Sequence, residues 1–201
     1  YMCKEGLKSI LENKTDIGHE KIRELVDFEN TTPISIQDAK KIRETLDGIT
    51  AIDPACGSGA YLLGLLQEII IIHENLQTLS SEFDRSKFDL KLHIISRSIF
   101  GVDIDPFATQ IAMVRLWLSL AVESEVPVQL PNLDFNIETG DSLLAPNPSI
   151  FTFDVTGAIA RANELAVTKR EYLKYQGPDI KELRQKIRQE EENIRSILDV
   201  A

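Results

Sequence analysis

The chain has 201 residues, 43% of them hydrophobic and 27% charged, which places it among ordinary soluble globular domains with one good core. Lys and Arg number 22 against 32 Asp and Glu, a formal charge of -10, so no summed field draws it toward a polyanion. Cys3 and Cys56 are too few and too far apart for a disulfide framework or a zinc cluster, so no metal site is expected, and they suit a reducing cytoplasm.

Tyr1 opens the chain without a basic, apolar signal segment, and Met2, Leu7, Ile10 and Leu11 fall at near-helical spacing, predicting a helix over Tyr1–Glu12 and a piece of a longer polypeptide. A polar loop is expected next. Ser35–Leu46 then reads as a short helix stopped by Gly48 in a left-handed C-terminal cap. Ile49–Asp53 is short, apolar and β-branched, a first strand running into the glycine-rich turn Pro54-Ala55-Cys56-Gly57-Ser58-Gly59 and a helix from Ala60 to about Leu76. The apolar run Leu62–Ile72 inside that helix falls short of the roughly 20 residues a bilayer requires, so it is a core helix and no membrane partner is expected.

After a polar linker at Ser80–Arg85, Phe88–Arg97 predicts a helix and Ile99–Asp103 a second strand. Pro106 suits the first turn of the next helix, through Trp117 to about Val122, because its missing amide has no partner there anyway. A Pro-rich connection, Pro127–Pro131, leads to alternating Phe135, Ile137 and Thr139, a third strand ending at Gly140-Asp141. Strands alternating with helices imply an α/β fold with a parallel sheet covered on both faces. Beyond it, Ala158–Leu173, the break at Gly177-Pro178, and Ile180, Leu183, Ile187, Ile194 and Ile197 predict a helical hairpin. The expected organisation is a helical segment over residues 1–48, an α/β core over 49–150 and a hairpin insertion over 151–201.

A parallel sheet binds ligands beyond the carboxyl ends of its strands, and the candidate residues all sit at such ends. In the first turn, Gly57 and Gly59 let the backbone approach a ligand closely, and Asp53 is placed to accept from a cationic amine. At the second strand end, Asp103 is placed to accept from both hydroxyls of a ribose. Asp105 reads as the N-cap of the following helix, and Ile104 is open between an adenine face and a buried contact with the sheet. After the third strand, Asp141 is open between accepting from the exocyclic amine of an adenine and a turn or cap role.

In combination, Asp-Pro-Ala-Cys-Gly-Ser-Gly at 53–59, Gly-Val-Asp-Ile-Asp-Pro at 101–106, Arg115-Leu116-Trp117-Leu118-Ser119-Leu120, Leu130-Pro131-Asn132-Leu133-Asp134-Phe135 and Gly140-Asp141-Ser142-Leu143-Leu144 resemble the amino-methyltransferase core of type IIG restriction-modification enzymes. The resemblance covers Tyr1 to about Ala145. It implies a partial Rossmann-like fold that binds S-adenosylmethionine. Asp53 with Ala55, Gly57 and Gly59 would hold its methionine part, Asp103 its ribose and Asp141 its adenine, with Ile104 and Ser142 completing the contact set. Tyr1-Met2-Cys3 looks like the tail of the family's upstream cofactor-contact motif.

These enzymes orient a flipped adenine with an Asn-Pro-Pro-Tyr or Asn-Pro-Pro-Phe motif, which the chain lacks. Asn147-Pro148-Ser149 is the nearest string and reads as a loop, so no catalytic residue is assigned and the motif is expected beyond Ala201. The resemblance therefore implies the cofactor-binding part of a DNA adenine-N6 methyltransferase, inactive alone, that reaches DNA through other parts of its parent. A dimer through an exposed sheet edge is a further expectation. Two other readings stand beside it, a nicotinamide-dinucleotide oxidoreductase domain and a non-catalytic interaction module built on the hairpin. Dinucleotide binders use Gly-x-Gly-x-x-Gly, whereas Gly57-Ser58-Gly59 is followed by Ala60, Tyr61 and Leu62, and Tyr61 would crowd a pyrophosphate.

Overall fold

The computed structural model describes residues 1–124, 130–144, 155–175 and 177–199. Asn147-Pro148-Ser149 and most of the Pro127–Pro131 connection lie outside the described residues.

The chain opens with α1 (Met2–Lys14), which buries Leu7 and Leu11. The expected polar loop contains a helix, α2 (His19–Phe28), that buries Ile22, Leu25 and Val26. These three positions make one apolar stripe, and the charged residues between them disguise it in the sequence. In α3 (Ile36–Asp47) a capping box fixes the start, with Ser35 Oγ accepting from the Asp38 amide and the Asp38 carboxylate from the Ser35 amide. Gly48 departs from expectation. It is right-handed, at φ -99 and ψ -1, and its amide is satisfied by Glu44 and Thr45 carbonyls, so no left-handed cap is used.

Among the described residues the sheet is three parallel strands in the order β1 (Ala51–Asp53), β2 (Ile99–Asp103), β3 (Ile137–Thr139), a mixed α/β arrangement of partial Rossmann-like form. α4 (Ala60–Gln77), a 3₁₀ turn at Ser81–Phe83 and α5 (Lys87–Ser98) make the crossover from β1 to β2, and α6 (Pro106–Ala121) leads on toward β3. α4 buries Leu62, Leu65, Leu66, Ile69, Ile70, Ile72 and Leu76, so it is the centre of the core. Its Leu62 lies over Gly101, where any side chain would meet it at 2.8 Å. Ile52 points to the opposite face, because successive strand residues alternate, and is 66% exposed. The expected cover on both sheet faces is therefore absent at β1 among the described residues.

β3 is shorter than the alternation of Phe135, Ile137 and Thr139 suggests, because residues 134–136 form a turn. Asn136 holds that turn, its buried Nδ2 donating to the Ile95 and Ile99 carbonyls at 3.0 and 2.9 Å. The hairpin forms as expected, from α7 (Val155–Lys174) and α8 (Ile180–Asp199). It joins the core through side chains. Phe135 and Tyr172 meet edge to face at 5.1 Å, Tyr172 Oη donates to Asp134 Oδ2 at 2.8 Å, and Arg184 holds the other Asp134 oxygen at 3.2 Å. Lys169 reaches Glu138 and Glu191. Burial pushes the Glu138 carboxyl up against the pull of Lys169, while Glu138 and Glu191 hold the Lys169 ammonium above its usual range despite burial.

One cluster around a buried histidine was not legible in the sequence. His73 on α4 is fully buried with neither ring nitrogen hydrogen-bonded, Asp47 Oδ1 lies 3.9 Å from its Nε2 and 3.6 Å from His93 Nε2, and Arg85 sits on the same oxygen. Burial, followed by the charge of Arg43, lowers His73 to about 4.

Candidate functional site

β1 ends at Asp53, and the next six residues must turn the chain back into α4. Asp53 Oδ1 accepts from the Ala55 amide at 3.1 Å, which starts the turn. Gly57 and Gly59 then adopt φ values of +52 and +78, the left-handed region that strains any residue with a Cβ. The two glycines differ in what surrounds them. A Cβ on Gly59 would stand 2.9 Å from Ala112 Cβ, so this glycine lets α6 pack beneath the turn. At Gly57 a Cβ would meet nothing within 4 Å, so its surroundings are open.

The second strand end is tied to that turn. Asp103 Oδ2 accepts from the Gly57 amide at 2.7 Å and Oδ1 from the Asp105 amide at 2.9 Å. These two backbone donors, Asp105 first, hold the carboxyl below its usual range. Each oxygen keeps a lone pair, so the fixed carboxylate can still take two donors from a ligand. Asp105 is the N-cap of α6, accepting from the Phe107 amide at 2.9 Å, as its position before Pro106 predicts. Ile104 is 71% exposed, which removes the alternative of a buried contact with the sheet.

The third strand end completes the rim. The Gly140 amide donates to the Asp103 carbonyl at 2.9 Å, so the segment after β3 continues beside β2. Asp141 makes a turn, its Oδ1 accepting from the Leu143 amide at 2.9 Å. Ser142 donates its hydroxyl to the Pro54 carbonyl at 2.7 Å, spanning 88 residues of sequence to join the third strand end to the first. Asp53 and Asp103 close their strands, and Ala55, Gly57, Gly59, Ile104, Asp141 and Ser142 lie on the segments that follow, joined by hydrogen bonds at one end of the sheet. Burial, with Asp53 and Asp103 nearby, pushes the thiol of Cys56 up.

Two braces escaped sequence reasoning. One is Ser142 acting on Pro54, and the other is Arg115, whose Nη1 donates to the carbonyl and hydroxyl of Ser58 at 3.1 and 3.0 Å. Neither carries a local signal, since both act across distant segments. A separate cavity of about 790 Å³ lies between α6, β3 and α8, lined by Met113, Trp117, Phe135, Glu138 and Arg188 among others. Pro106, Thr109 and Thr139 also line it, and none of the expected site residues does.

Among the described residues no helix is long and apolar enough to cross a membrane, and no group of His, Cys, Asp or Glu side chains is arranged to hold a metal ion.

Comparison with known proteins gives a consistent result. The family described as MmeI, DNA-methyltransferase domain, matches residues 28–133. A Methanocaldococcus jannaschii protein provisionally named a type II restriction enzyme and methyltransferase is 32% identical over 148 residues, which is 70% of this chain and 12% of that protein. A type II restriction enzyme and methyltransferase of Escherichia coli is 31% identical over 119 residues, 51% of this chain and 12% of the relative. The matched stretch is thus about one eighth of these relatives, at 12% of each. No solved structure matches the chain at a significant level.

Proposed function

Because the chain belongs to the family of the MmeI DNA-methyltransferase domain, we propose that its strand-end site holds S-adenosylmethionine and that the whole protein methylates adenine N6 in DNA within a restriction-modification enzyme. The observation that carries this reading is the bond from the Gly57 amide to Asp103 Oδ2. It unites the glycine turn and the strand-end acid in one site, with open space at Gly57 where a ligand chain can lie.

When bound, the cofactor supplies an electrophilic methyl group on a sulfonium centre. The chain's own residues bind and orient. Asp103 accepts from the ribose hydroxyls, already fixed by two backbone donors and so needing no reorganisation. Asp53 keeps Oδ2 for the cationic amine of the methionine end, while its Oδ1 holds the turn. Asp141 offers its second oxygen to the exocyclic amine of the adenine, and the exposed side chain of Ile104 covers the ring. The sequence holds no Asn-Pro-Pro-aromatic string to receive a target adenine, so this chain positions the donor and by itself transfers no methyl group. The DNA contacts belong to other parts of the protein, in keeping with a formal charge of -10. The organisation we propose is the helical segment 1–48, the donor-binding core 49–150 and the hairpin 151–201.

Calorimetric titration of the chain with S-adenosylmethionine, S-adenosylhomocysteine and a nicotinamide dinucleotide tests the reading. Binding of the first two alone, lost in Asp103→Ala, is the expected result. Binding of the dinucleotide in preference would assign the site to hydride-transfer chemistry.

A further inference from the structure

The glycine turn depends on a residue far from it in sequence. Arg115 is the only charged side chain in α6, on a helix whose exposed positions otherwise include Phe107, Val114 and Leu118. Its guanidinium grips one residue, Ser58, at both the carbonyl and the hydroxyl. One turn earlier on the same helix, Ala112 is small enough for Gly59 to pack against it. Ala112 therefore sets how closely α6 approaches, and Arg115 fixes the peptide that lies between the two left-handed glycines.

Glycine carries more backbone freedom than any other residue, so a turn built from two of them is ordered only by what holds it. Asp103 holds it at the Gly57 amide and Arg115 at Ser58. We infer that Arg115 is a positioning residue for the methionine end of the cofactor, acting through Ser58 to keep the glycine turn in its binding conformation. The inference rests on the donor-binding reading above and adds to it a residue that touches the turn, not the ligand. A charge-assisted pair of hydrogen bonds suits this role, because the one Nη1 holds both the carbonyl and the hydroxyl of Ser58 and so fixes that residue at two points.

The test compares two ligands on the full chain, S-adenosylhomocysteine, which has an amino acid end, and 5′-methylthioadenosine, which lacks it. In Arg115→Ala, affinity for S-adenosylhomocysteine falls about ten-fold, the loss expected when charge-assisted hydrogen bonds that order a site are removed. Affinity for 5′-methylthioadenosine stays within about two-fold, since Asp103 and Asp141 remain in place. Arg115→Lys, which keeps the charge and a donor nitrogen on a shorter side chain without the planar guanidinium, recovers part of the loss, and the melting temperature of both variants stays that of the wild type. Unchanged S-adenosylhomocysteine binding in Arg115→Ala would overturn the inference. So would an equal loss for both ligands with a lowered melting temperature, which marks a structural role alone. If the unmodified chain binds neither ligand, the donor-binding reading itself fails, and that outcome is distinct from the others.

Discussion

The strand-end site and the hairpin junction lie at two sides of the same sheet and are built from different materials. The site is made of backbone amides meeting short carboxylates, with glycines at the positions where a Cβ would strain or collide. The junction is made of long side chains, with Lys169 between Glu138 and Glu191, and Tyr172 and Arg184 on Asp134. Backbone-built geometry has few alternatives once the glycine turn is held by Asp103 and Arg115. Side-chain ion pairs lose rotamer entropy and are screened by salt, so they dock an element without specifying a ligand site. This contrast is the ground on which the proposed donor site is placed at the strand ends and not in the cavity of about 790 Å³ at the junction.

The sharpest way to break this contrast is within the turn itself. Gly59→Ala places a Cβ 2.9 Å from Ala112 at a positive φ, and should cost roughly 2 to 4 kcal/mol from strain and overpacking together. Gly57→Ala carries the φ strain alone, roughly 1 to 2 kcal/mol. Urea unfolding of the two variants checks the order. Equal losses would mean that α6 does not pack against Gly59 as closely as described.

Acid should act on the core first. His73 is held uncharged in the fold, at about 4, whereas the unfolded chain has the ordinary value of 6.5. The unfolded state therefore binds the proton more readily between these values, and stability present above 6.5 is lost as pH falls toward 4. His93, also lowered by burial, adds in the same direction. Melting temperatures should decline over that window, and less steeply in His73→Leu. A flat wild-type profile would contradict an uncharged, buried ring.

The smallest effect is expected at the junction. Tyr172→Phe removes the hydrogen bond to Asp134 and leaves the ring against Phe135, a loss of about 1 kcal/mol. Burial and Asp134 push the Tyr172 phenol up to about 12, so this donor stays protonated at neutral pH. Hydrogen exchange should rise in α7 and not in α4. A rise in both would make the two regions one cooperative unit.

What the sequence revealed follows the same division. The three strands, the Asp105 cap and the Asp53–Gly59 turn were legible because each is dictated by residues adjacent in the chain. α2 was not, since Glu20, Lys21, Arg23, Glu24 and Asp27 surround its narrow stripe and periodicity over ten residues is weak. Gly48 shows the opposite error, a glycine in the right place whose conformational freedom the fold does not use. Arg115 and Ser142 were both singled out in the sequence, but their bracing contacts were hidden because their partners lie 57 and 88 residues away. Asp141 showed its local role, the turn to Leu143, more plainly than any ligand contact.

The central claim is that the chain binds its ligand at the strand ends. Backbone amide NMR with added S-adenosylhomocysteine tests it most directly. The account predicts shifts concentrated at Gly57, Gly59, Asp105 and residues 140–143, with α8 silent. Shifts centred on Trp117, Arg188 and Glu191 around the junction cavity, or none at all, would contradict it.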